Sequence, residues 1–236
     1  GLQLAERDAD DERTGLGRML FFADNVRYAS NRLLVHDLLT RHPEIGDVAI
    51  EAPVIVVGLP RSGTTNLVNL LAADSRFRSM PLWESYEPVP NPREPATVDG
   101  VDPRWARCQQ AWEAMQAGAP LVAAMHPMEP DHVHEEIELM GPDFSNYNVE
   151  WVARAPRWRD HYLAHAQTPH YAYLKQVLQI LQWHRPRPRW VLKSPQHLEQ
   201  LGPLLTTFPD ATIVVTHRDP VAVVQSTATM LCYGAR

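Results

Sequence analysis

A short apolar run followed by a loop between two glycines is the feature that most constrains the fold of this chain. Residues 53–58 are apolar and rich in β-branched side chains, which is typical of a strand buried on both faces of a parallel sheet. The next glycine, Gly63, closes the loop, and residues 66–73 then show the apolar spacing of a helix. Strand, glycine-bounded loop and helix in this order predict an α/β unit.

Two later apolar runs predict further buried strands, at residues 190–192 and 211–216. Helical spacing predicts additional helices at residues 15–42, 105–125, 156–167, 169–184, 197–206 and 219–231. Residues 80–102 are rich in proline and predict a long ordered loop, whereas residues 132–140 fit either a short helix or an irregular segment. We therefore predict a single domain over residues 1–236, an α/β fold with a P-loop-type parallel sheet flanked by helices on both sides.

The composition excludes several classes of protein. The formal net charge of -6 is unfavourable for binding nucleic acid, so an anionic ligand would need a local basic site. The two cysteines form no CxxC pair, which argues against a disulfide scaffold and a zinc–thiolate site and favours a reducing cytoplasm. No apolar run approaches the roughly 20 residues that span a bilayer, and no signal peptide is evident, so we expect no transmembrane segment.

The loop after the first strand has the glycine spacing of a nucleotide-binding P-loop but not its lysine. In an ATPase the residues after the second glycine are Lys and Ser or Thr, whereas here they are Thr64 and Thr65. Arg61, inside the loop, supplies a cation instead. Because backbone N–H groups at a helix N-terminus still form an anion site, we expect this loop to hold a phosphate. Its chemistry need not be nucleotide hydrolysis.

Residues 60–65, Pro-Arg-Ser-Gly-Thr-Thr, resemble the 5′-phosphosulfate-binding loop of sulfotransferases that use 3′-phosphoadenylyl sulfate (PAPS). Golgi-type members, among them the tyrosylprotein sulfotransferases, have much the same six residues. Cytosolic members often have Lys at the position of Arg61. The resemblance implies the following donor-binding residues: Arg61, Ser62, Gly63, Thr64 and Thr65.

A second motif, residues 216–220 together with Ser226, resembles the 3′-phosphate-binding motif of the same family. We expect Arg218 at the carboxyl end of a central strand, where ligands bind in open α/β sheets, and its planar guanidinium suits a phosphate. Asp219 and Pro220 fit the cap and first position of the next helix. The resemblance implies that Arg218 and Ser226 bind the 3′-phosphate of the donor.

The third motif, residues 192–198, departs from the cytosolic pattern. In that branch the matching strand ends in Lys-Thr-His, where the Lys contacts the sulfuryl group and the His is the general base. Lys193 and Ser194 fit this pattern, but Pro195 stands at the position of the histidine. The sequence Lys-Ser-Pro-x-His resembles instead the larger bacterial branch of the superfamily, and its general base must be another residue.

The general base is open between two groups of residues. Glu84 roughly matches the position of the glutamate base of tyrosylprotein sulfotransferases. The run of residues 132–136 is an equal alternative, because neighbouring carboxylates and imidazoles shift one another's pKa values. The candidates within this run are His134, Glu135 and Glu136. His197 ranks third, because a helix cap or a pocket lining explains it better.

Together the motifs imply a sulfotransferase that moves a sulfuryl group from PAPS to a hydroxyl of a small molecule, lipid or glycan and releases 3′-phosphoadenosine 5′-phosphate (PAP). Arg61 and Lys193 would stabilise the charge that builds up during transfer, so no metal is expected. One alternative is a P-loop nucleotide kinase or NTPase, which Thr64 in the lysine position disfavours. Another is a non-catalytic module that binds the 3′-phosphonucleotide without turnover.

Two further expectations follow from the resemblance. Family members usually continue well beyond the helix of the second motif, so we expect this chain to lack the C-terminal part of the domain. The motifs determine neither the acceptor nor the oligomeric state, because variable loops form the acceptor pocket and a fold does not fix its substrate.

Overall fold

A computed structural model describes residues 14–152 and 154–234. The four strands are β1 (Val54–Val57), β2 (Phe77–Arg78), β3 (Arg189–Lys193) and β4 (Thr212–Val215). They form a parallel sheet in the order β2-β3-β1-β4. Because β1, β3 and β4 run in the same direction, the residues that follow them meet at one edge of the sheet.

Helices account for most of the remaining described structure. The α-helices, in chain order, are α1 (Gly15–Arg41), α2 (Thr64–Ala72), α3 (Leu82–Tyr86), α4 (Pro103–Gly118), α5 (Val122–Met125), α6 (Asn148–Val152), α7 (Pro156–Ala164), α8 (Thr168–His184), α9 (Leu201–Thr207) and α10 (Pro220–Gly234). Shorter 3₁₀ helices span Pro43–Asp47, Glu138–Asp143 and Pro195–Glu199.

Alternate residues of the central strands pack against different helices, so that both faces of the sheet are covered. Ile55 and Leu192 join the largest buried cluster, which also contains side chains of α1, α8 and α9. Val54 and Val191 point the other way and pack with Val68 of α2. This burial on both faces explains the continuous apolar strands and confirms the predicted parallel sheet with helices on both sides.

The structure corrects three expected elements. The helix expected over residues 105–125 is divided into α4 and α5, because Pro120 has no N–H to donate and its ring clashes with the preceding turn. The helix expected over residues 197–206 begins as the 3₁₀ helix Pro195–Glu199. The long loop expected over residues 80–102 contains the short helix α3.

Helix α3 anchors the segment that contains the predicted His and Glu cluster. The backbone N–H of Leu82 donates to the carbonyl of His132 at 2.9 Å, and that of Trp83 donates to Pro130 at 3.2 Å. In return, the backbone N–H of His134 donates to the carbonyl of Met80 at 2.8 Å. These bonds explain why a segment without a regular helix holds one conformation.

The third predicted strand is not buried. Within the described residues β4 pairs with β1 alone and forms an edge of the sheet, and its side chains are exposed or half-buried. Arg218 therefore follows an edge strand and not a central one. Among the described residues, no helix is both long and apolar enough to cross a bilayer.

Candidate functional site

The loop after β1 is joined to the loop after β4 through two hydroxyl groups. Ser62 Oγ donates to the carbonyl of Leu59 at 2.6 Å and lies 2.6 Å from Thr216 Oγ1. A Cβ atom on Gly58 would lie 2.0 Å from Thr216 Oγ1. The first glycine of the loop is therefore required by the close approach of the two loops.

Arg61 connects the first two motifs. Its φ of 69° lies in the left-handed region, which is unfavourable for a residue with a side chain. Its backbone carbonyl accepts a hydrogen bond from Arg218 NH1 at 2.9 Å. Its side-chain Nε donates to Ser226 Oγ at 3.0 Å. Its NH1 group donates to the carbonyl of Met125, at the end of α5, at 2.6 Å. The residues expected to bind the two phosphates of one nucleotide are thus in direct contact.

The end of the loop fits an anion. Gly63 has a φ of 98°, and a Cβ atom there would meet nothing within 4 Å, so the space above it is open. The first-turn N–H groups of α2 have no acceptor within the helix and attract negative charge. Thr64, at the position of the P-loop lysine, is buried. The Thr65 hydroxyl accepts from Lys193 Nζ at 3.2 Å, which brings a cation to the same point.

The motif after β4 has the predicted local structure. Asp219 accepts from the backbone N–H of Val221 at 3.1 Å, and Pro220 is the first residue of α10. The Arg218 side chain is exposed, whereas the Ser226 hydroxyl is half-buried against the loop. Capping by Asp219 fixes the start of the helix and thereby the side of α10 on which Ser226 lies.

Lys193 is the last residue of β3, and consecutive glutamates contact its side-chain ammonium group and its backbone N–H. Its side chain is only 1% exposed, and Nζ contacts the carboxylate of Glu135 in addition to Thr65. Its backbone N–H donates to Glu136 Oε2 at 2.7 Å. The structure thus brings the predicted pair Glu135 and Glu136 to Lys193 of the third motif, and it gives the two glutamates different partners.

Glu136 belongs to a buried hydrogen-bonded chain behind the strand. Its Oε1 lies 2.7 Å from His197 Nε2, and His197 Nδ1 lies 2.7 Å from the Tyr171 hydroxyl. None of the three residues is exposed. Because the carboxylate can only accept, Nε2 of His197 carries the proton, and in the neutral ring Nδ1 then accepts from the Tyr171 O–H. Both oxygens of Glu136 are therefore occupied in holding the end of β3.

Glu135 faces the other way, with a side chain 15% exposed. Its Oε1 contacts Lys193 Nζ and lies 3.8 Å from His126 Nε2. Burial raises the pKa of Glu135, but the opposing contributions, of which the charge of Lys193 is the largest, bring the net pKa well below its usual range. The carboxylate is ionised at neutral pH and lies beside the buried cation.

Three imidazoles are grouped around this carboxylate. The ring of His126 lies 5.9 Å from those of His132 and His134, which are 6.4 Å apart. Burial lowers the pKa of His132 to about 4 and brings that of His134 well below its ordinary value. Among residues 14–152 and 154–234, no group of three or more His, Cys, Asp or Glu side chains is arranged to hold a metal ion.

His126 was not indicated by the sequence. It belongs to no motif, and it directly follows the last residue of α5. Nδ1 of His134 is also notable, because it is buried without a hydrogen-bond partner among the described residues.

Glu84 lies in a different group of contacts. It is buried on α3, where its Oε2 accepts from Arg78 NH2 at 2.8 Å and from Arg185 NH2 at 3.1 Å. The guanidinium of Arg78 also lies over the ring of Trp190. Among the described residues, the polar partners of the Glu84 carboxylate are thus two arginines, and it contacts neither Lys193 nor the glycine-bounded loop.

A model of the sulfotransferase family matches residues 53–236, which include all three motifs. The chain belongs to the sulfotransferase family. Its structure is similar to the crystal structure of sulfotransferase STF9 from Mycobacterium avium, with a TM-score of 0.82 and 28% identity over 96% of this chain and 58% of that one. Sulfotransferase STF1 from Mycobacterium tuberculosis H37Rv gives a TM-score of 0.81 and 29% identity over 97% and 63%.

This member of the sulfotransferase family thus spans about three fifths of the length of both solved relatives. A comparison with curated proteins found no match.

Proposed function

We propose that this sulfotransferase-family chain transfers a sulfuryl group from PAPS to a hydroxyl of a small-molecule, lipid or glycan acceptor and releases PAP. The supporting observation is the meeting of Lys193, Thr65 and Glu135 at the carboxyl edge of the sheet. Transfer of a charged group to a hydroxyl needs a fixed cation for the developing charge and an acceptor for the hydroxyl proton. A buried ammonium group and an ionised carboxylate meet both needs beside an anion-binding loop.

The residues of the first two motifs would hold the donor, which supplies a sulfuryl group on a phosphate leaving group. The bonds from Arg61 to Ser226 and from Arg218 to the loop support a single ligand shared by both motifs. In this proposal the 5′-phosphosulfate is bound by Arg61, Ser62, Gly63, Thr64 and Thr65. The 3′-phosphate is bound by Arg218 and Ser226. Lys193 is proposed to stabilise the sulfuryl oxygens, without a metal ion.

Among Glu84, His134, Glu135 and Glu136, we propose Glu135 as the general base. Glu136 has both oxygens bonded in a buried chain, and Glu84 balances two arginines. The lowered pKa of Glu135 makes it a weak base. A weak base is sufficient, because the transition state of such transfers is loose and the acceptor loses its proton late.

A kinase or NTPase is less well supported, since a buried threonine occupies the position of the P-loop lysine. The acidic net charge disfavours nucleic acid as a partner, and the scarcity of cysteine favours the cytoplasm as the proposed compartment.

Calorimetry on the full chain tests the donor site. PAP should bind much more tightly than AMP or ATP, and Arg218→Ala should weaken PAP binding by about 2–5 kcal/mol if the phosphate pair is buried in the complex. Equal affinities for PAP and AMP would contradict the 3′-phosphate site. Binding of PAP without transfer from radiolabelled PAPS would favour the non-catalytic module, and a requirement for magnesium would favour the kinase.

A further inference from the structure

His126 lies between Arg61 and Lys193. The carbonyl of the preceding residue, Met125, accepts from Arg61 NH1 at 2.6 Å. On the other side, His126 Nε2 lies 3.8 Å from Oε1 of Glu135, the same oxygen that Lys193 Nζ contacts. The ring thus faces Glu135, and because the side chain is 24% exposed, it is also in contact with solvent.

The hydrogen-bonding pattern of His126 indicates which nitrogen is available. Nδ1 lies 3.3 Å from the carbonyl oxygen of Pro127, which can only accept, so Nδ1 holds a proton. In the neutral ring Nε2 then presents a lone pair towards Oε1 of Glu135, which is also an acceptor. Two acceptors that face each other at 3.8 Å leave a place for one proton between them.

We propose that His126 is a positioning residue that takes over, through Glu135, the proton of the acceptor hydroxyl; this inference rests on the proposed sulfuryl transfer. The bond from the acceptor oxygen to sulfur forms while the bond from sulfur to the 5′-phosphate oxygen breaks. The electron pair of the broken bond stays on the phosphate oxygen. The acceptor O–H proton passes to Glu135 and then to His126 Nε2. The products are a sulfate ester, PAP, and an imidazolium beside an ionised carboxylate.

The charged groups around His126 favour this direction of proton movement. Lys193 keeps Glu135 ionised, so the carboxylate gives up a proton readily. His132 and His134 have rings 5.9 Å from that of His126, and burial keeps both of them neutral. They therefore add no positive charge that would oppose an imidazolium at His126.

The first test compares single-turnover transfer from radiolabelled PAPS in the wild-type full chain, in His126→Gln and in the matched control His132→Gln. Water, phenol, octanol and methyl glucoside serve as probe acceptors. His126→Gln should be slower by about ten- to a hundredfold, whereas His132→Gln should stay within about threefold of the wild type. Added imidazole should restore part of the rate to His126→Gly.

The pH profile separates proton transfer from a structural role. The wild-type rate should fall on the acid side, because a ring that already holds a proton cannot accept another. This fall should be absent from His126→Gln or should move to lower pH, and His132→Gln should keep the wild-type profile.

A second test needs no transfer. Nitrogen NMR of the imidazoles identifies which ring nitrogen of each histidine holds the proton. In His126 this should be Nδ1, because the carbonyl oxygen of Pro127 accepts there, and a neutral ring with its proton on Nε2 would overturn the role of His126. Calorimetry should give the same affinity for PAP in His126→Gln as in the wild type.

The outcomes distinguish the two proposals. An unchanged rate and pH profile in His126→Gln, or an equal loss of rate in His132→Gln, would overturn the role of His126 and leave sulfuryl transfer in place. A wild-type chain that neither binds PAP nor transfers sulfate would contradict the proposed function itself.

Discussion

Glu135 and Glu136 are neighbours in sequence, and they serve opposite ends of Lys193 in different environments. Glu136 is fully buried and accepts one hydrogen bond from the Lys193 backbone and one from His197. Glu135 is partly exposed and contacts the Lys193 ammonium group. One carboxylate therefore holds the strand end, and the other lies beside the ammonium group where chemistry is proposed.

Residue type and spacing are therefore not sufficient to assign a role to either glutamate. Both side chains are carboxylates beside the same lysine, yet only Glu135 is partly exposed, whereas Glu136 is enclosed in a buried network. Saturation of hydrogen bonds marks the structural residue, and partial exposure beside a cation marks the candidate for chemistry.

The largest expected effect is on transfer by Glu135→Gln. If Glu135 is the base, the single-turnover rate should fall by about 10²–10⁴-fold while PAP binding is retained. Glu136→Gln, which keeps the shape of the side chain, should change the rate per folded molecule by less than about tenfold. A larger loss in Glu136→Gln than in Glu135→Gln would reverse the two roles.

The second largest effect on the transfer rate is expected from substitution of Lys193, whose ammonium group contacts Glu135. Lys193→Met keeps the backbone N–H that Glu136 accepts and removes the cation, so transfer should fall by about 10²–10³-fold. The only other lysine of the chain, Lys175 on α8, provides a matched control, and Lys175→Met should leave the rate unchanged. If Lys193→Met unfolds the protein but the folded fraction has full activity, the cation is structural.

On the buried side of the contrast, the expected effect is on stability. Glu136→Ala leaves a buried backbone N–H and a buried imidazole without a partner, which should lower the free energy of unfolding by about 3 kcal/mol. Urea denaturation measures this difference, with the exposed Glu113→Ala as a control expected within about 0.5 kcal/mol. A small effect of Glu136→Ala would mean that water replaces the carboxylate.

Much of this arrangement could be predicted from the sequence, because each of the three motifs follows a strand of the parallel sheet, and parallel strands end at one edge. Lys193 and Arg61 are in the predicted region for this reason. The ion pair of Glu84 with Arg185, and the approach of His126 to Glu135, depend on folding rather than on a local sequence pattern. No local pattern reports such contacts, so these were visible only in the folded chain.

The smallest effect concerns the imidazoles around Glu135. The pKa of His132 is lowered from 6.5 to about 4 in the fold, so the unfolded chain takes up a proton there first as pH falls. Stability should therefore decrease between about pH 6.5 and about pH 4. His132→Gln should reduce the loss measured in urea between about pH 7 and about pH 5 by roughly 1 kcal/mol, after allowance for the partial exposure of the ring. An identical loss in both proteins would count against a buried neutral His132.

The backbone of Arg61 has a consequence for how the whole edge of the sheet responds to ligand. A glycine at this position would avoid a conformational cost of about 1 kcal/mol, and the arginine is kept there by bonds to Arg218, Ser226 and the carbonyl that ends α5. The loop, α5 and α10 are therefore thermodynamically linked. Any ligand that stabilises the loop also stabilises the other two elements. By reciprocity, any change that destabilises α10 lowers the affinity of the loop for that ligand by the same factor.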